Sequence, residues 1–303
     1  QTLPFFMLIA LGYISGRTNF FSEEATAYLT KFVFYFALSA MLFRFSANLD
    51  LARVFDAEFV MAYFLGTVVI YLVGTAVAMI RRLGTAEAAI EAQCTVIGNV
   101  GFLGIPMFAI LFGPESVGPM LLVLATDLIF FGSLIVILVT GSRDGRMHLG
   151  ILKTVGVGLL KNPMIMSIGA GLIWAGFNLP IPAPVNDFLE ILGAAATPGA
   201  LFAIGASLAS KSAERVSVAL WLSSAKLFLH PAAVAVSALV LFNVEPYAAG
   251  VMIAAAAMPV AGNVFILAQH YGIAPQRVSA SIFLSTVGSV VTVTAVVAWV
   301  QGL

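Results

Sequence analysis

The sequence predicts an all-α integral membrane protein with about ten transmembrane helices. Of its 303 residues, 61% are hydrophobic and only 9% are charged, and short polar stretches interrupt the apolar ones at regular intervals. Soluble domains are about 45–50% apolar and about 25% charged, so a soluble fold would lack the polar surface to cover this chain. At about 20 residues per span, the length allows about ten helices.

Ten apolar segments are separated by polar or Gly/Pro-rich stretches, none long enough to hold a soluble domain. We interpret the short first segment as a clipped helix rather than a secretory signal, because no small-residue cleavage site follows it. The net charge of zero makes nucleic acid an unexpected partner, and Cys94, the only cysteine, excludes an intrachain disulfide. The predicted spans are 2–16, 24–45, 58–80, 87–112, 115–140, 149–177, 184–209, 215–242, 246–271 and 276–301.

Lysine and arginine are unevenly distributed between alternate loops. The loops after even-numbered spans carry only Arg44 and Arg53, whereas those after odd-numbered spans carry ten basic residues with their flanks. Because basic residues concentrate in cytoplasmic loops, we predict a multi-pass protein of the cell (inner) membrane with both termini extracytoplasmic. The ten basic residues are Arg17, Arg81, Arg82, Arg143, Arg146, Lys153, Lys161, Lys211, Arg215 and Arg277.

Ten spans divide into two sets of five. Because five is odd, the second set enters the membrane from the opposite side, which gives the inverted repeat common in secondary transporters. A weak similarity between SAMLF at 39–43 and PGALF at 198–202, in the second span of each half, agrees with this arrangement. We predict a first repeat over 1–145 and a second, inverted repeat over 146–303.

The fourth span of each half contains a cluster of residues that break helices. Span 4 has three glycines and a proline between Gly98 and Pro106, and span 9 has a similar cluster from Met258 to Asn263. Gly and Pro are poor helix formers, and backbone groups freed by an unwound turn cannot face lipid. The alternative is that these residues only kink packed helices. It is weakened because the two clusters lie at corresponding places and each contains an asparagine.

Two broken helices that meet at mid-membrane would suit a carboxylate. The N-termini of half-helices carry partial positive charge and unpaired N–H groups, and Asn99 and Asn263 add further donors and acceptors. The predicted substrate-binding residues are Gly98, Asn99, Val100, Gly101, Pro106, Met258, Pro259, Gly262 and Asn263.

Asp127 and Lys226 lie well inside apolar spans, the fifth and the eighth. An unpaired aspartate at the position of Asp127, mid-span 5, costs at least ~2.5–3.5 kcal/mol, so it should face the protein interior. We predict that Asp127 and Lys226 are coupling or gating residues. The alternatives are a structural hydrogen bond for Asp127 and, for Lys226, balance of Asp127 or of an anion, or snorkelling. We interpret His230 as a helix-packing residue, and Lys31 and Glu190 as structural or interfacial.

Enzymatic motifs are absent from the sequence. It contains neither Gly-x-Ser-x-Gly nor His-Glu-x-x-His, and no Walker motif. Its three histidines are dispersed without metal-site spacing. We therefore predict that the chain is not an enzyme and has no cofactor or metal.

Several stretches resemble the auxin efflux carrier (AEC) family. GNVGFLGIP at 98–106, followed by LFG at 111–113, resembles its Gly-Asn-x-Gly-Phe-x-Gly-x-Pro signature, and 258–272 resembles its ninth-helix motif. Asn162-Pro163 and Lys226-Leu227 also match its pattern. One departure is Ser39-Ala40, where many members have Pro-Ala.

The resemblance implies the inverted 5+5 fold of sodium–bile acid symporters and sodium–proton antiporters. It implies a scaffold from helices 1, 2, 6 and 7, often dimeric, and a mobile domain from helices 3–5 and 8–10 that carries substrate like an elevator. Bacterial members are assigned to organic anions such as malonate and malate, and plant members export auxin. Short loops place this chain nearer the bacterial or the short plant members.

Three functions from different classes remain open. The first is a secondary carrier of a small organic carboxylate, coupled to a proton or to sodium. The second is a cation–proton antiporter or a sodium-coupled symporter of the same fold, although a buried pair of aspartates, which would favour an antiporter, is not found. The third is a non-transporting receptor or scaffold, for which unwound backbone has no evident use.

Overall fold

The computed structural model describes residues 3–48, 56–144, 150–177, 179–210 and 216–302. Within these ranges the chain forms helices and no strand, apart from one isolated antiparallel bridge between Gly98 and Val260. The predicted all-α class is therefore confirmed. The helices are α1 Leu3–Arg17, α2 Glu23–Ala47, α3 Ala57–Ile80, α4 Thr85–Val96, α5 Val100–Leu111, α6 Pro114–Ser142, α7 Gly150–Lys161, α8 Pro163–Gly176, α9 Ala183–Leu208, α10 Val216–Leu241, α11 Pro246–Ala256, α12 Gly262–Tyr271 and α13 Pro275–Val300.

Six of these helices, α2, α3, α6, α9, α10 and α13, are each long and apolar enough to cross a membrane. A seventh crossing results if α7 and α8 form one bent span, while α1, α5 and α11 are shorter apolar helices. The ten crossings, their inverted 5+5 arrangement, the orientation of the termini and the dimer stay predictions. Arg53, Arg146, Lys211, Arg215 and the repeat boundary at 145/146 lie outside the described residues.

Span 6 differs from the single helix predicted over 149–177. The chain bends by 74° between 155–161 and Pro163–Gly176. Asn162 has extended backbone angles, and its side chain accepts hydrogen bonds from the N–H groups of Met164 and Ile165 at 2.9 and 3.4 Å. Proline also disfavours helical geometry in the residue before it. Asn162 is therefore the N-cap of a new helix, and the apolar run continues through the bend.

The helices group into two compact units. Unit 1 comprises Gln1–Asp56, Gly101–Leu122 and Gly158–Ser210, and unit 2 comprises Ala57–Val100, Val123–Val157 and Lys211–Leu303. Unit 1 thus contains α1, α2, α8 and α9 and most of α5. Unit 2 contains α3, α4, most of α6 and α10–α13, so each unit is assembled from segments that are distant in sequence.

In unit 1, α1 and α9 pack with almost no space between their backbones. A Cβ atom added to Gly12 would overlap the carbonyl oxygen of Phe202, and one added to Gly205 would overlap that of Ile9. Small residues allow this approach, which gives membrane helices extensive van der Waals contact.

In unit 2, α3 packs against both α10 and α4 through glycines. A Cβ atom on Gly66 would lie 2.8 Å from the Cα of Val234, and one on Gly74 would lie 2.8 Å from Oγ1 of Thr95. This packing brings the polar side chains of α3 against the interior face of α10.

Five π-helical turns interrupt the described helices: Val33–Ala37, Val100–Gly104, Asp127–Phe131, Ala225–Leu229 and Ser237–Leu241. A π turn inserts an extra residue into a helix, redirects its side chains and often occurs at functional sites. Only two of the five contain a charged residue, Asp127 in one and Lys226 in the other.

Candidate functional site

The two predicted breaks meet in unit 2. Between α4 and α5, and between α11 and α12, short extended stretches run antiparallel to each other. The N–H of Asn99 donates to the carbonyl of Pro259 at 2.8 Å, and the N–H of Ala261 donates to that of Ile97 at 3.0 Å. These bonds pair backbone groups that an unwound helix would otherwise leave without partners. We call this paired backbone, 97–99 with 259–261, the crossover.

Gly98 lies in the tightest part of the crossover. A Cβ atom at this position would stand 3.2 Å from Cβ of Met258 and 3.3 Å from Nζ of Lys226. Gly98 therefore lets a buried amine come close to the backbone of the crossover. Asn99, next in the chain, is also buried.

The start of α12 forms the more open side of the crossover. Gly262 and Asn263 are exposed, and a Cβ atom on Gly262 would meet no heavy atom within 4 Å. The first N–H groups of a helix have no partner within it. This end of α12 is therefore able to receive an anion without displacing a side chain.

Two predicted binding residues lie outside unit 2. Gly101 and Pro106 belong to unit 1, whereas Gly98, Asn99 and the predicted residues of span 9 belong to unit 2; Val100 is the last unit 2 residue before the division. We expected freed backbone around Pro106. The extended stretch lies at 97–99, and Pro106 is the second residue of the α-helical part of α5, directly after the π turn Val100–Gly104.

Lys226 is completely buried and holds its amine at the end of α11. Its Nζ donates to the carbonyl of Ala256, the last residue of that helix, and lies 3.2 Å from Nδ1 of His230. The last carbonyls of a helix lack partners within it and carry partial negative charge. Lys226 therefore caps the first half of the broken span 9 and places its amine beside Gly98. Complete burial rules out snorkelling.

His230 does more than pack between helices. Thr67 donates its only hydroxyl hydrogen to the carbonyl of Tyr63 at 2.7 Å, so its 3.1 Å contact with Nε2 of His230 requires the hydrogen to be on Nε2. Nδ1 is then free to accept from Lys226. A neutral imidazole with its hydrogen on Nε2, beside a protonated Lys226, satisfies all of these contacts.

Asp127 lies in the interior of unit 2 with one of its oxygens unpaired. The hydroxyl of Tyr63 donates to Oδ1 at 2.8 Å, whereas Oδ2 has no hydrogen-bond partner among the described residues. Phe131, the last residue of the π turn that begins at Asp127, accepts a hydrogen bond at its carbonyl from the amide nitrogen of Gln93 in α4, at 3.2 Å. Lys226 directs its amine to Ala256 and His230 rather than to Asp127, so the two charges do not form a direct ion pair.

The sequence analysis missed an ion-pair cluster at the start of α4. Arg277 of α13 donates to Glu91 and, at 2.8 Å, to Glu87, and Arg81 donates to the second oxygen of Glu91 at 2.6 Å. The two arginines had been counted only as loop charges. The four-residue spacing of the glutamates places them on one helix face and was the available signal. Tyr63 and Thr67 were missed because isolated hydroxyl residues in an apolar helix form no pattern.

Comparison with known proteins covers nearly the whole length of the chain. The model of a family described as "Membrane transport protein" matches residues 1–146 and 133–297. The "Putative malonate transporter" of Rhizobium meliloti (strain 1021) is 28% identical over 299 residues, which are 96% of this chain and 92% of that relative.

Two further relatives come from distant organisms. The "Uncharacterized transporter YfdV" of Escherichia coli (strain K12) is 25% identical over 96% of this chain and 93% of its own. The "Uncharacterized transporter MJ1031" of Methanocaldococcus jannaschii is 24% identical over 95% of this chain and 94% of its own. All three similarities span both breaks and the buried charges.

Proposed function

Because this chain belongs to the membrane transport protein family, the auxin efflux carrier-like transporters, we propose that it is a secondary active carrier of small organic anions. Family membership and six long apolar helices make it a multi-pass membrane transporter. The name of the Rhizobium meliloti relative supports a carboxylate such as malonate as the substrate class.

The observation that carries the anion proposal is the buried amine of Lys226 beside the crossover. Attraction between opposite charges is several-fold stronger in a protein interior than in water. A carboxylate near Gly98 would meet this amine, and the open N-terminus of α12 would offer it N–H groups. Asn99 and Asn263, on the two crossing segments, would add side-chain donors.

The division into two units supports an elevator-type mechanism. Unit 2 contains the crossover, Asp127 and Lys226, so one body contains most of the proposed binding and coupling groups. We propose that unit 2 is the mobile domain and that unit 1, which contains α1, α2, α8 and α9, is the scaffold.

The Asn99→Ala variant tests the binding site. Loss of a hydrogen bond to a charged group costs about 1.5–3 kcal/mol. We therefore expect the affinity for malonate, measured by counterflow with purified protein in proteoliposomes, to fall by roughly tenfold or more. Asn48→Ala is the matched control, because Asn48 lies in unit 1 and its exposed side chain donates to the carbonyl of Arg44. Normal counterflow by a correctly folded Asn99→Ala protein would remove Asn99 from the site.

The same proteoliposomes separate the competing functions. An antiporter would exchange protons for sodium without any organic substrate, and the buried carboxylate of Asp127 would be its ion-binding group. A receptor would bind malonate that never reaches the lumen. Saturable counterflow that requires the carboxylate contradicts both alternatives.

A further inference from the structure

The interior of unit 2 contains two opposite charges with very different surroundings. Lys226 has a helix-terminal carbonyl and a neutral imidazole as partners. Asp127 has one donor, Tyr63, and its Oδ2 is buried without a partner in the part of the chain that the structure describes. Each residue lies in a π turn of its helix. Of these two charged groups, only the Asp127 carboxylate therefore lacks a hydrogen-bond partner for one of its atoms among the described residues.

A bound proton would relieve this deficiency. An ionised carboxylate has about four sites that accept hydrogen bonds, and a buried acceptor without a donor costs about 1–3 kcal/mol, more when it is charged. Protonation of Oδ2 removes the charge and leaves the hydrogen bond from Tyr63 to Oδ1 in place. Intramembrane carboxylates of pumps and transporters commonly serve as proton relays.

We propose that Oδ2 of Asp127 is a proton-binding site and that its proton couples transport of the anion. The second half of this statement rests on the proposed function, whereas the first half stands without it.

Charge balance gives the physical link between the proton and the anion. With Asp127 ionised, its charge and that of Lys226 sum to zero, and the interior has no net attraction for an anion. With Asp127 protonated, Lys226 leaves one positive charge that a carboxylate offsets. The titratable groups that act on Asp127 are Tyr63 from α3 and Lys226 from α10, and His230 from α10 contacts both of them. Proton and anion therefore bind best together, which is the requirement for symport.

Infrared spectroscopy tests the proton site without reference to transport. A pH titration of the purified protein should show a protonated-carboxyl C=O band that Asp127→Asn abolishes and Asp187→Asn leaves in place, since Asp187 is exposed and lies in unit 1. Tyr63→Phe should keep the band and shift its frequency, because a hydrogen bond to the carboxyl is lost. This variant keeps the proposal testable if Asp127→Asn does not fold. A spectrum in which no carboxyl band responds to either substitution overturns the proton site.

Transport measurements test the coupling. An inward proton gradient should raise malonate uptake by wild-type protein several-fold over uptake without a gradient. The ratio of these two rates should fall to about one in Asp127→Asn and stay at the wild-type value in Asp187→Asn. Stimulation of uptake by a sodium gradient instead of a proton gradient overturns proton coupling through Asp127. Unchanged stimulation by the proton gradient in Asp127→Asn overturns it as well. If wild-type protein shows the infrared band but no malonate counterflow, the proposed function fails and the proton site stands.

Discussion

At the scale of single residues, unit 2 keeps two cations in its interior by different means. Lys226 is satisfied by dipoles, namely the end of α11 and a neutral imidazole. Arg277 is satisfied by two carboxylates, Glu87 and Glu91, which lie on one face of α4, and Arg81 offsets the second negative charge. The first arrangement leaves a net positive charge, whereas the second cancels it. Only the first is therefore suited to attract an anion, and the second joins α4 to α13.

Glu91→Gln should destabilise the protein strongly. The Glu91 side chain is 2% exposed and binds both Arg277 and Arg81. Removal of one partner from a buried ion pair typically costs about 3–5 kcal/mol, because the remaining charge loses its compensation. We expect a clearly lower thermal unfolding midpoint in detergent.

Glu87→Gln is the control for this prediction. The Glu87 side chain is 38% exposed, and among the described residues its one ion pair is with Arg277, so its loss should cost about 1 kcal/mol or less. Equal decreases in the midpoints of the two variants would contradict the central role of Glu91.

Residue-level prediction from the sequence worked where a residue type is rare in a membrane. Asp127 and Lys226 stood out because charges within apolar spans are expensive, and the structure places both in the interior of unit 2. Their partners did not stand out: Tyr63 and Thr67 are ordinary in apolar helices, and their role depends on how α3 packs against α10. That packing is a tertiary property which the local sequence does not encode.

At the scale of helices, close packing of α1 against α9 leads to a test of unit 1. Gly205→Leu would force a side chain into the backbone of α1 at Ile9. Overpacking of a tight interface typically costs about 1–3 kcal/mol and often more when backbone must move. We expect a lower unfolding midpoint and poor recovery of folded protein by size-exclusion chromatography.

Gly169→Leu provides the matched control within the same unit. Gly169 lies in α8, and a Cβ atom there would meet no heavy atom within 4 Å. Both variants add the same apolar side chain to a membrane helix, so only the packing differs. A similar loss of folded protein in both would mean that the contact of α1 with α9 is not the cause.

Helix breaks were partly readable from the sequence. The Gly/Asn/Pro clusters of spans 4 and 9 correspond to real breaks, because too few residues there favour a helix over an extended chain. The break in span 4 occupies only the start of the predicted cluster, at 97–99, and Pro106 lies in the helix that follows it. The bend at Asn162 was overlooked although Asn-Pro is a strong N-cap signal, because hydropathy does not change across it.

At the scale of the whole molecule, the composition of the two units could not be derived from local patterns. Each unit combines segments from both halves of the chain, and α5 and α6 continue from one unit's residues into the other's. Hydropathy and charge bias report only where segments cross the membrane and which ends are cytoplasmic. The scaffold and mobile domains were suggested by family resemblance alone, and their relative motion stays a prediction.

Distance measurements between spin labels test that motion. The native cysteine, Cys94, is buried and can be replaced by alanine to give a background without reactive thiols. Labels at Ile191→Cys in unit 1 and Val291→Cys in unit 2 would report on the two units, since both native side chains are exposed. If unit 2 moves as an elevator, malonate at low pH should shift the distribution of this distance by several ångströms.

A second pair of spin labels, both within unit 2, distinguishes rigid movement of that unit from deformation within it. Ile80→Cys and Val291→Cys both lie on exposed positions of that unit, so a rigid mobile domain keeps their separation constant while the distance between the units changes. Constant distances in both pairs, in protein that carries out malonate counterflow, would contradict the elevator. A change in both pairs would mean that unit 2 deforms instead. The crossover backbone, held by paired hydrogen bonds between 97–99 and 259–261, makes the rigid outcome the expected one, because deformation across it would expose backbone groups in a membrane that offers them no partner.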